Sequence, residues 1–191
     1  MFANFLIKKM ICYCMKFLWN KETIVLIARR QWGKTTMIKK IVKNISRSNI
    51  IILDTNNEYQ DFPNRIIPRE FTSEELDRFL IHCRKNISKL VIVDDIDAYF
   101  EGAQATGELK DFLIRASHQD LGLIATLKRP LFVPKLLLSE AVHLLMGGFI
   151  FKNDVDYLNS FIKDKGILEK LQRHEFLYRN ADTGEEKIMK S

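Results

Sequence analysis

The chain has 191 residues, of which 47% are hydrophobic and 28% charged, with a formal net charge of +6. This composition is ordinary for a globular protein and excludes a collagen, a coiled-coil rod and a wholly disordered chain. No uncharged apolar run reaches the roughly 18 residues of a membrane span, and three cysteines, with Cys12 and Cys14 almost adjacent, favour a reducing compartment over a disulfide framework.

Positive charge is concentrated in the first quarter of the chain. Residues 1–50 hold eleven Lys and Arg and one acid, a net of +10, whereas residues 51–151 are net −4 and residues 152–191 are neutral. A polyanionic partner would therefore meet the first quarter. A solvated basic helix face explains the same charge equally well.

Residues 1–20 form an apolar and basic leader of uncertain structure, ahead of a single domain over residues 21–191. Its apolar residues, with polar ones on one narrow stripe, fit an interfacial helix that touches lipid or a partner. A helix packed on its own domain also fits, as does a translation start placed too early, with Met15 the true start. A signal peptide fits poorly, because Lys8 and Lys9 interrupt the apolar region.

From residue 23 onward, strand patterns alternate with helical ones, so we expect an α/β fold with a mostly parallel central sheet and helices on both faces. Continuous apolar runs predict strands buried on both faces: Thr23–Ala28, Asn49–Asp54, Lys89–Asp94, Leu121–Thr126 and a fifth within Val142–Phe151. The predicted helices are Lys34–Arg47, Thr72–Lys85 opened by a Thr72–Glu75 capping box, Gly107–His118, and Asn153–Asp164 capped by Asn153. A closing C-terminal β-hairpin is predicted over His174–Asn180 and Glu185–Met189.

The segment between the first strand and the first helix carries a phosphate-binding pattern typical of a P-loop NTPase. Backbone N–H groups at a helix N-terminus cradle polyphosphate, and Gly33 lets the main chain approach it. Lys34 would face the β/γ-phosphates and the Thr35 hydroxyl would bind Mg²⁺. Ala28 replaces the first glycine of the pattern, a modest departure. The expected cofactors are ATP and Mg²⁺, and the expected binding residues are Arg29, Arg30, Gln31, Trp32, Gly33, Lys34, Thr35 and Thr36.

The second half of the site is predicted at the end of the Lys89–Asp94 strand. Asp94 would hold Mg²⁺, because this hard cation prefers carboxylate oxygen. Asp95 would orient or deprotonate the attacking water. Many P-loop ATPases carry Glu at this position, and the shorter Asp side chain leaves a slow enzyme open. Asp97 is interpreted as structural.

The strand Leu121–Thr126 leads into a candidate sensor of the γ-phosphate. In P-loop ATPases with a strand inserted between the two motif strands, a polar residue follows this strand. Lys128 is the candidate here. A surface lysine in a loop is the alternative interpretation.

These segments together resemble the FtsK–HerA superfamily of DNA-pumping ATPases. Within it, the likeness is greatest to the genome-packaging ATPases of icosahedral viruses with an internal membrane, notably the Sulfolobus turreted icosahedral viruses. It covers about residues 23–190. The segments that carry it are Gly33–Thr35, Asp54–Tyr59, Val93–Asp95, Leu121–Pro130 and Leu171–Tyr178.

The resemblance implies a role for each matching residue. Gly33, Lys34 and Thr35 would bind nucleotide and Mg²⁺, Asp94 would bind Mg²⁺, and Asp95 would take the position of the catalytic acid. The family sensor, usually Gln before Arg, is here Lys128-Arg129. The family often has an Arg-His pair acting in trans, which is here Ser117-His118 with Arg115 two residues earlier. The arginine finger therefore stays open between Arg115 and Arg129, and the implied catalytic residues are Asp95, Lys34, Lys128, Arg115 and Arg129.

The function implied is an ATP-driven motor that translocates double-stranded DNA and packages a viral genome into a capsid. Expected partners are DNA, further copies in a ring of six, and the capsid or internal membrane at a portal vertex, in the host cytoplasm or on the virion. The loop Glu101–Thr106 is the preferred DNA-gripping segment over the outward lysines of the first helix. Alternatives are a conjugation-type cellular or plasmid DNA translocase, and a nucleotide-gated assembly protein with weak hydrolysis. A small-molecule kinase is disfavoured, since no arginine-rich lid segment is evident.

Overall fold

A computed structural model describes residues 17–85, 90–102, 104–149 and 151–191. Its strands are β1 Thr23–Ala28, β2 Ile50–Leu53, β3 Arg65–Ile66, β4 Leu90–Val93, β5 Gly122–Leu127, β6 His143–Gly147, β7 Glu175–Asn180 and β8 Glu186–Lys190. Its α-helices are α1 Lys34–Ile41, α2 Ser73–Lys85, α3 Gly107–Arg115, α4 Lys135–Ser139, α5 Lys152–Leu158 and α6 Ile167–Lys170.

The eight strands form one sheet in the order β3-β2-β4-β5-β1-β6-β7-β8. Pairing is parallel from β3 to β6 and antiparallel from β6 to β8. The predicted α/β class, the mostly parallel sheet and the C-terminal hairpin are confirmed. Register aligns the carboxyl ends of the central strands, since Ile27 pairs with Leu127, Ala28 with Gly147, and Val93 lies opposite Ala125.

Apolar residues on both faces of the central strands explain their burial. In β1, Val25 and Ile27 join one core, which also contains α2 and α3 residues. Ile24 and Leu26 join a second core, with residues of α1 and the hairpin. A strand covered on both faces is what a continuous apolar run predicts.

Three helices are shorter than their sequence patterns predict. The predicted helix Gly107–His118 ends at Arg115, where a 3-10 turn follows, and the other two differ more. The predicted helix Lys34–Arg47 ends at Ile41, and the Ser46 and Ser48 hydroxyls then bond each other at 2.9 Å. The predicted helix Asn153–Asp164 is α5, which begins at Lys152, so Asn153 lies in its first turn instead of capping it. After α1, the Ile45 backbone N–H bonds the carbonyl three residues earlier, that of Val42, at 2.9 Å, so the helical hydrogen-bond pattern is not continued. After α5, the Ser160 hydroxyl donates to the Tyr157 carbonyl oxygen at 2.6 Å, a local bond that competes with the helix.

One of the two hydrogen bonds of the predicted capping box is formed. The Thr72 hydroxyl accepts a hydrogen bond from the Glu75 backbone N–H at 3.3 Å. The Glu75 carboxylate accepts one from the Arg69 backbone N–H, at 3.2 Å. The sequence patterns missed β3, α4 and α6, which have only two, five and four residues and carry too little periodicity to detect.

Several predictions concern residues outside the described part of the chain. Residues 1–16 of the predicted leader lie outside it, as does Ala103 of the loop Glu101–Thr106. From residue 17 onward, Phe17 and Trp19 pack against the second core. Within the described ranges, none of the helices has the length and apolar character needed to cross a bilayer.

Candidate phosphate-binding site

The segment after β1 turns sharply into helix α1. Gly33 caps the helix with φ 97°, a left-handed conformation that glycine adopts without a Cβ penalty. A Cβ at this position would also lie 2.3 Å from the Ser191 Oγ, so the space beside Gly33 is filled. The turn therefore presents the first N–H groups of α1 at the edge of the sheet, where an anion is favoured.

Lys34 lies in the buried centre of this turn. Its side chain is 9% exposed, and its Nζ donates to the Ala28 carbonyl oxygen at 3.0 Å. The same Nζ is 3.4 Å from the Asp95 Oδ1. The lysine thus joins the end of β1 to the acid that follows β4.

Trp32 anchors the loop instead of facing its opening. Its indole is 5% exposed and donates from Nε1 to the Glu175 carbonyl oxygen at 2.7 Å. The ring occupies space next to Gly147 and Gly148, where added Cβ atoms would lie 2.6 Å and 2.3 Å from it. The remaining predicted loop residues Arg29, Arg30, Gln31 and Thr36 are exposed.

Asp94 and Asp95 follow β4 and share their partners. Asp94 accepts hydrogen bonds from the Thr126 hydroxyl at 2.9 Å and from the Asn56 amide at 2.9 Å. The Asn56 amide also donates to Asp95 at 2.7 Å, and the Thr126 hydroxyl accepts from the Asp95 backbone N–H at 2.7 Å. Asn56, after β2, therefore holds both carboxylates, and Thr126 of β5 holds the Asp94 carboxylate and the Asp95 backbone.

The pKa values of the two carboxyl groups are shifted in opposite directions. Burial, with the charge of Asp95, raises the pKa of Asp94 to about 6. Burial alone would also raise the pKa of Asp95, but the ammonium groups of Lys34 and Lys128 outweigh it and hold that pKa below the usual aspartate value. Asp95 is thus the firmly ionised member of the pair.

Lys128 reaches the same centre from the end of β5. Its Nζ lies 2.7 Å from the Asp95 Oδ2. Asp97 orients the loop, because one of its carboxylate oxygens accepts from the backbone N–H groups of Lys128 at 3.1 Å and Arg129 at 3.3 Å. The contacts of Asp97 agree with its interpretation as a structural residue.

The two candidate arginine fingers are placed elsewhere. Arg129 turns toward α5, where its Nε lies 2.7 Å from the Asp154 Oδ2. Arg115 ends α3, is 66% exposed, and pairs with Asp111 one helical turn earlier at 2.8 Å. Since α3 connects the parallel strands β4 and β5, its last turn lies at the sheet edge opposite the phosphate site. The structure thus brings together Lys34, Asp94, Asp95 and Lys128, but leaves Arg115 apart.

A polar segment after β2 also contributes to the site, and sequence reasoning assigned it no role. The buried Asp54 accepts hydrogen bonds from the backbone N–H groups of Glu58 at 2.8 Å and Tyr59 at 3.1 Å, which fixes the loop. Glu58 then accepts a hydrogen bond from the Thr35 hydroxyl. Because β2 is parallel to β4 and next to it, polar residues directly after β2 could have been predicted to reach the site.

Magnesium fits the oxygen donors that these elements present. Across the described ranges, no cluster of three or more His, Cys, Asp or Glu side chains forms a cage for a metal. Mg²⁺ ordinarily binds through one or two carboxylates together with substrate phosphates and water. The Asp94 carboxylate and the Thr35 hydroxyl are oxygen ligands of that kind, and from the described residues each Asp94 oxygen accepts a single hydrogen bond.

The basic first quarter of the chain is partly neutralised. Lys39 lies 2.9 Å and Arg47 3.3 Å from carboxylate oxygens of Asp61, so these two basic residues of the first quarter are paired. Lys40 and Lys43 are exposed.

No protein family model and no curated protein sequence matches the chain. Solved structures do match. B204, the DNA-packaging ATPase from Sulfolobus turreted icosahedral virus, has a TM-score of 0.78 at 19% identity, covering 90% of this chain and 98% of that one. The genome packaging NTPase B204 from Sulfolobus turreted icosahedral virus 2, in complex with ATP-γS, has a TM-score of 0.73 at 22% identity over the same shares.

A more distant match is the N-terminal domain of zonular occludens toxin from Neisseria meningitidis. Its TM-score is 0.54 at 13% identity, covering 88% of this chain and 93% of that one. This chain therefore has the fold of the viral genome-packaging P-loop ATPases. The resemblance inferred from the motifs is confirmed at the level of the fold.

Proposed function

We propose that this chain is an ATPase that uses hydrolysis to translocate double-stranded DNA into a viral capsid. One observation carries the catalytic part: Lys34, Asp94, Asp95 and Lys128 converge beside the N-terminus of α1. Two cations and two carboxylates at a helix start are the groups that hold a polyphosphate, its metal ion and an attacking water.

The geometry supports a division of labour among these residues. Lys34 cannot fully neutralise both Asp95 and an incoming polyphosphate, so phosphate binding draws positive charge away from Asp95. The Asp95 carboxylate then accepts a hydrogen bond from water more readily, while Lys128 stays beside it to meet charge on the γ-phosphate. Asp95 orients the water and accepts its hydrogen bond. Mg²⁺, held by Thr35 and Asp94, would neutralise charge on the β- and γ-phosphate oxygens.

The proposed translocation of DNA is supported by the fold and by the net positive charge of residues 1–50. The similar viral proteins are described as a DNA-packaging ATPase and a genome packaging NTPase. Residues 1–50 carry a net charge of +10, which suits a phosphate backbone. The proposed partners are double-stranded DNA, other copies of the chain in a hexameric ring, and the capsid or internal membrane at a portal vertex, in the host cytoplasm or on the virion.

Assembly into a ring would bring an arginine of a neighbouring copy to the site, since among the described residues neither candidate, Arg115 or Arg129, is paired with the acids of its own site. Arg129 is engaged by Asp154 in its own chain, at 2.7 Å. Arg115 is exposed, at the edge of the domain away from its own phosphate site. This favours Arg115 as the residue that completes a neighbour's site, a contribution worth about 10³- to 10⁵-fold in rate in other phosphoryl-transfer enzymes.

Translocation along DNA is tested by measuring ATP turnover with and without double-stranded DNA. Displacement of a third strand from a triplex substrate is measured alongside. A translocating motor gives DNA-stimulated turnover and ATP-dependent displacement. DNA-stimulated turnover without displacement would contradict translocation while keeping the ATPase.

A second candidate is a nucleotide-gated assembly protein with weak hydrolysis. It is favoured by the contacts of Asp95, whose carboxylate lies within 3.4 Å of two ammonium groups and is thus a weak base. Such a protein would assemble on binding a non-hydrolysable ATP analogue, with turnover far slower than assembly. Light scattering alongside turnover distinguishes the two candidates.

A further inference from the structure

The loop between β2 and β3 is held in place by a buried carboxylate. Asp54 is fully buried and accepts hydrogen bonds from the backbone N–H groups of Glu58 at 2.8 Å and Tyr59 at 3.1 Å. Arg65, in the neighbouring strand β3, lies 3.2 Å from the same carboxylate. The fold therefore fixes the backbone from which the side chains of Glu58 and Tyr59 project.

Glu58 reaches from this loop to the first turn of α1. Its carboxylate accepts a hydrogen bond from the Thr35 hydroxyl, and its backbone carbonyl oxygen accepts one from the Lys39 ammonium group at 3.1 Å. A hydroxyl group has one proton to donate and two lone pairs that can face a cation. Because the proton of Thr35 is directed to Glu58, the hydrogen bond also sets the direction of the lone pairs of the hydroxyl oxygen.

Tyr59 carries a buried hydroxyl group whose hydrogen bond is not used within the described part of the chain. The side chain is 0% exposed, and none of the described residues meets the hydroxyl at hydrogen-bond geometry. The ring itself is packed edge-on against Phe62, with the ring centres 5.9 Å apart. A buried donor without a partner costs free energy, so a ligand that accepts this hydrogen bond would bind more tightly.

The Tyr59 hydroxyl lies beside the residues suited to bind Mg²⁺. Strand β2 is parallel to β4, with Leu53 opposite Val93, so the loop after β2 emerges next to Asp94. Burial raises the pKa of Tyr59 well above its usual value, the charge of Asp94 raises it further, and the nearby Thr35 hydroxyl acts in the opposite direction. An influence of both residues on one phenol places its hydroxyl close to them.

We propose that Glu58 is a positioning residue that orients the Thr35 hydroxyl toward Mg²⁺, and that the Tyr59 hydroxyl donates a hydrogen bond to water bound to the ion. The proposal rests on the proposed ATPase function and deepens it. Mg²⁺ usually keeps several of its waters when it binds to proteins. Groups that surround the direct ligands orient them and tune the affinity for the metal. The loop after β2 would thus contribute to metal binding and leave the phosphates to the P-loop.

Calorimetric titration with the non-hydrolysable ATP analogue AMPPCP, once with Mg²⁺ and once with EDTA, tests the proposal without any turnover. The ratio of the two affinities, here called the magnesium effect, is compared among wild type, Glu58→Ala, Glu58→Gln and Tyr59→Phe. Asp61→Ala is the matched control, because Asp61 is an exposed acid of the same loop that pairs with Lys39 and Arg47. This control should keep the wild-type magnesium effect.

We expect Glu58→Ala to reduce the magnesium effect by about 10- to 100-fold, as the loss of an outer partner of a metal ligand does, with the affinity in EDTA unchanged. Glu58→Gln should recover most of the effect, because its amide oxygen can still accept from Thr35. Tyr59→Phe should reduce the effect by roughly two- to tenfold, the loss of one hydrogen bond. Without ligand, Tyr59→Phe should unfold at an equal or higher denaturant concentration than wild type, because it lacks the unpartnered hydroxyl.

Each other outcome overturns a stated part of the proposal. A Glu58→Gln protein as weak as Glu58→Ala would show that the charge of Glu58 acts on the ion directly, which contradicts its positioning of Thr35. A less stable Tyr59→Phe protein with an unchanged magnesium effect would assign the hydroxyl a structural role instead. A magnesium effect that survives in every variant would overturn the proposal alone. Equal binding by wild type with Mg²⁺ and with EDTA would contradict the magnesium site of the proposed ATPase as well.

Discussion

At the scale of single residues, the two carboxylates of the site differ in the charges next to them. Asp95 lies within ion-pair distance of Lys34 and Lys128, whereas Asp94 is held by neutral donors, Asn56 and Thr126. The same burial therefore leaves the pKa of Asp94 raised to about 6 and that of Asp95 lowered. In a pair with such different pKa values, one carboxylate is suited to bind a metal ion and the other to bind water.

Substituting Asp95→Asn should abolish turnover but keep nucleotide binding. The amide has nearly the same shape but is a much weaker acceptor for the protons of the attacking water. Asp95→Glu is the matched control, and we expect unchanged or faster turnover because it restores the commoner side chain. Phosphate release and equilibrium ATP binding measure the two effects. An Asp95→Asn protein with wild-type turnover would exclude Asp95 as the group that positions water.

Replacing Thr126→Val should lower the free energy of unfolding by about 1–3 kcal/mol. The change keeps the shape but leaves a buried Asp94 oxygen and the Asp95 backbone N–H without their partner. Thr126→Ser retains the hydroxyl and should be close to wild type. Denaturant unfolding of the three proteins measures the difference. Equal midpoints for the valine and wild-type proteins would show that the hydroxyl is not needed to hold these acids.

At the scale of elements, the P-loop is held from outside by the segment after β6 and by the hairpin. The Trp32 indole fills the space over Gly147 and Gly148 and bonds to Glu175 at the start of β7. His174 Nδ1 also lies 3.1 Å from the Trp32 carbonyl oxygen. The phosphate loop therefore depends on residues more than 100 positions away in sequence.

Gly148→Ala should displace Trp32 and weaken nucleotide binding. A Cβ there would lie 2.3 Å from the indole, and the backbone φ of +67° disfavours any side chain. Gly107→Ala is the matched control, because nothing lies within 4 Å of the position of its Cβ. Tryptophan fluorescence and ATP affinity are the readouts. If both variants behave like wild type, Trp32 does not anchor the loop.

The motif-bearing elements could be predicted from sequence, whereas the supporting contacts could not. The β1 strand and the start of α1 are local patterns, as is the acid pair after β4, so each can be detected in a short window. Asn56, Glu58 and Thr126 act across three strands, and only the strand order reveals that they meet. The early end of α1 is marked by three-residue backbone turns after Ile41, which periodicity does not show.

At the scale of the whole molecule, the domain presents its phosphate site and its exposed arginine at opposite edges of one sheet. Arg115 ends α3 at the edge where β5 begins, and the acids stand where β4 ends. A head-to-tail contact between copies can join these two edges, and repeating that contact closes a ring when the rotation between neighbours divides a full turn. In the proposed hexamer, each copy would make this contact with the next.

Mixing two inactive variants tests whether the site is shared between copies. Arg115→Ala should lower turnover with little change in ATP affinity, and Lys34→Ala should lose hydrolysis. Mixed rings contain interfaces that keep Lys34 on one side and Arg115 on the other, so turnover should partly return. Arg129→Ala mixed with Lys34→Ala is the comparison, and should give no rescue. Co-assembly without any rescue by the Arg115→Ala protein would contradict catalysis in trans.

The most direct test of the central claim is phosphate release from Mg·ATP by wild type and by Lys34→Ala, with double-stranded DNA present and at protein concentrations that allow assembly. The claim is that the centre around Lys34 and Asp95 hydrolyses ATP. It predicts steady turnover by wild type and only background release by Lys34→Ala, with both proteins folded. Equal release by the two proteins, or none by wild type, would contradict it.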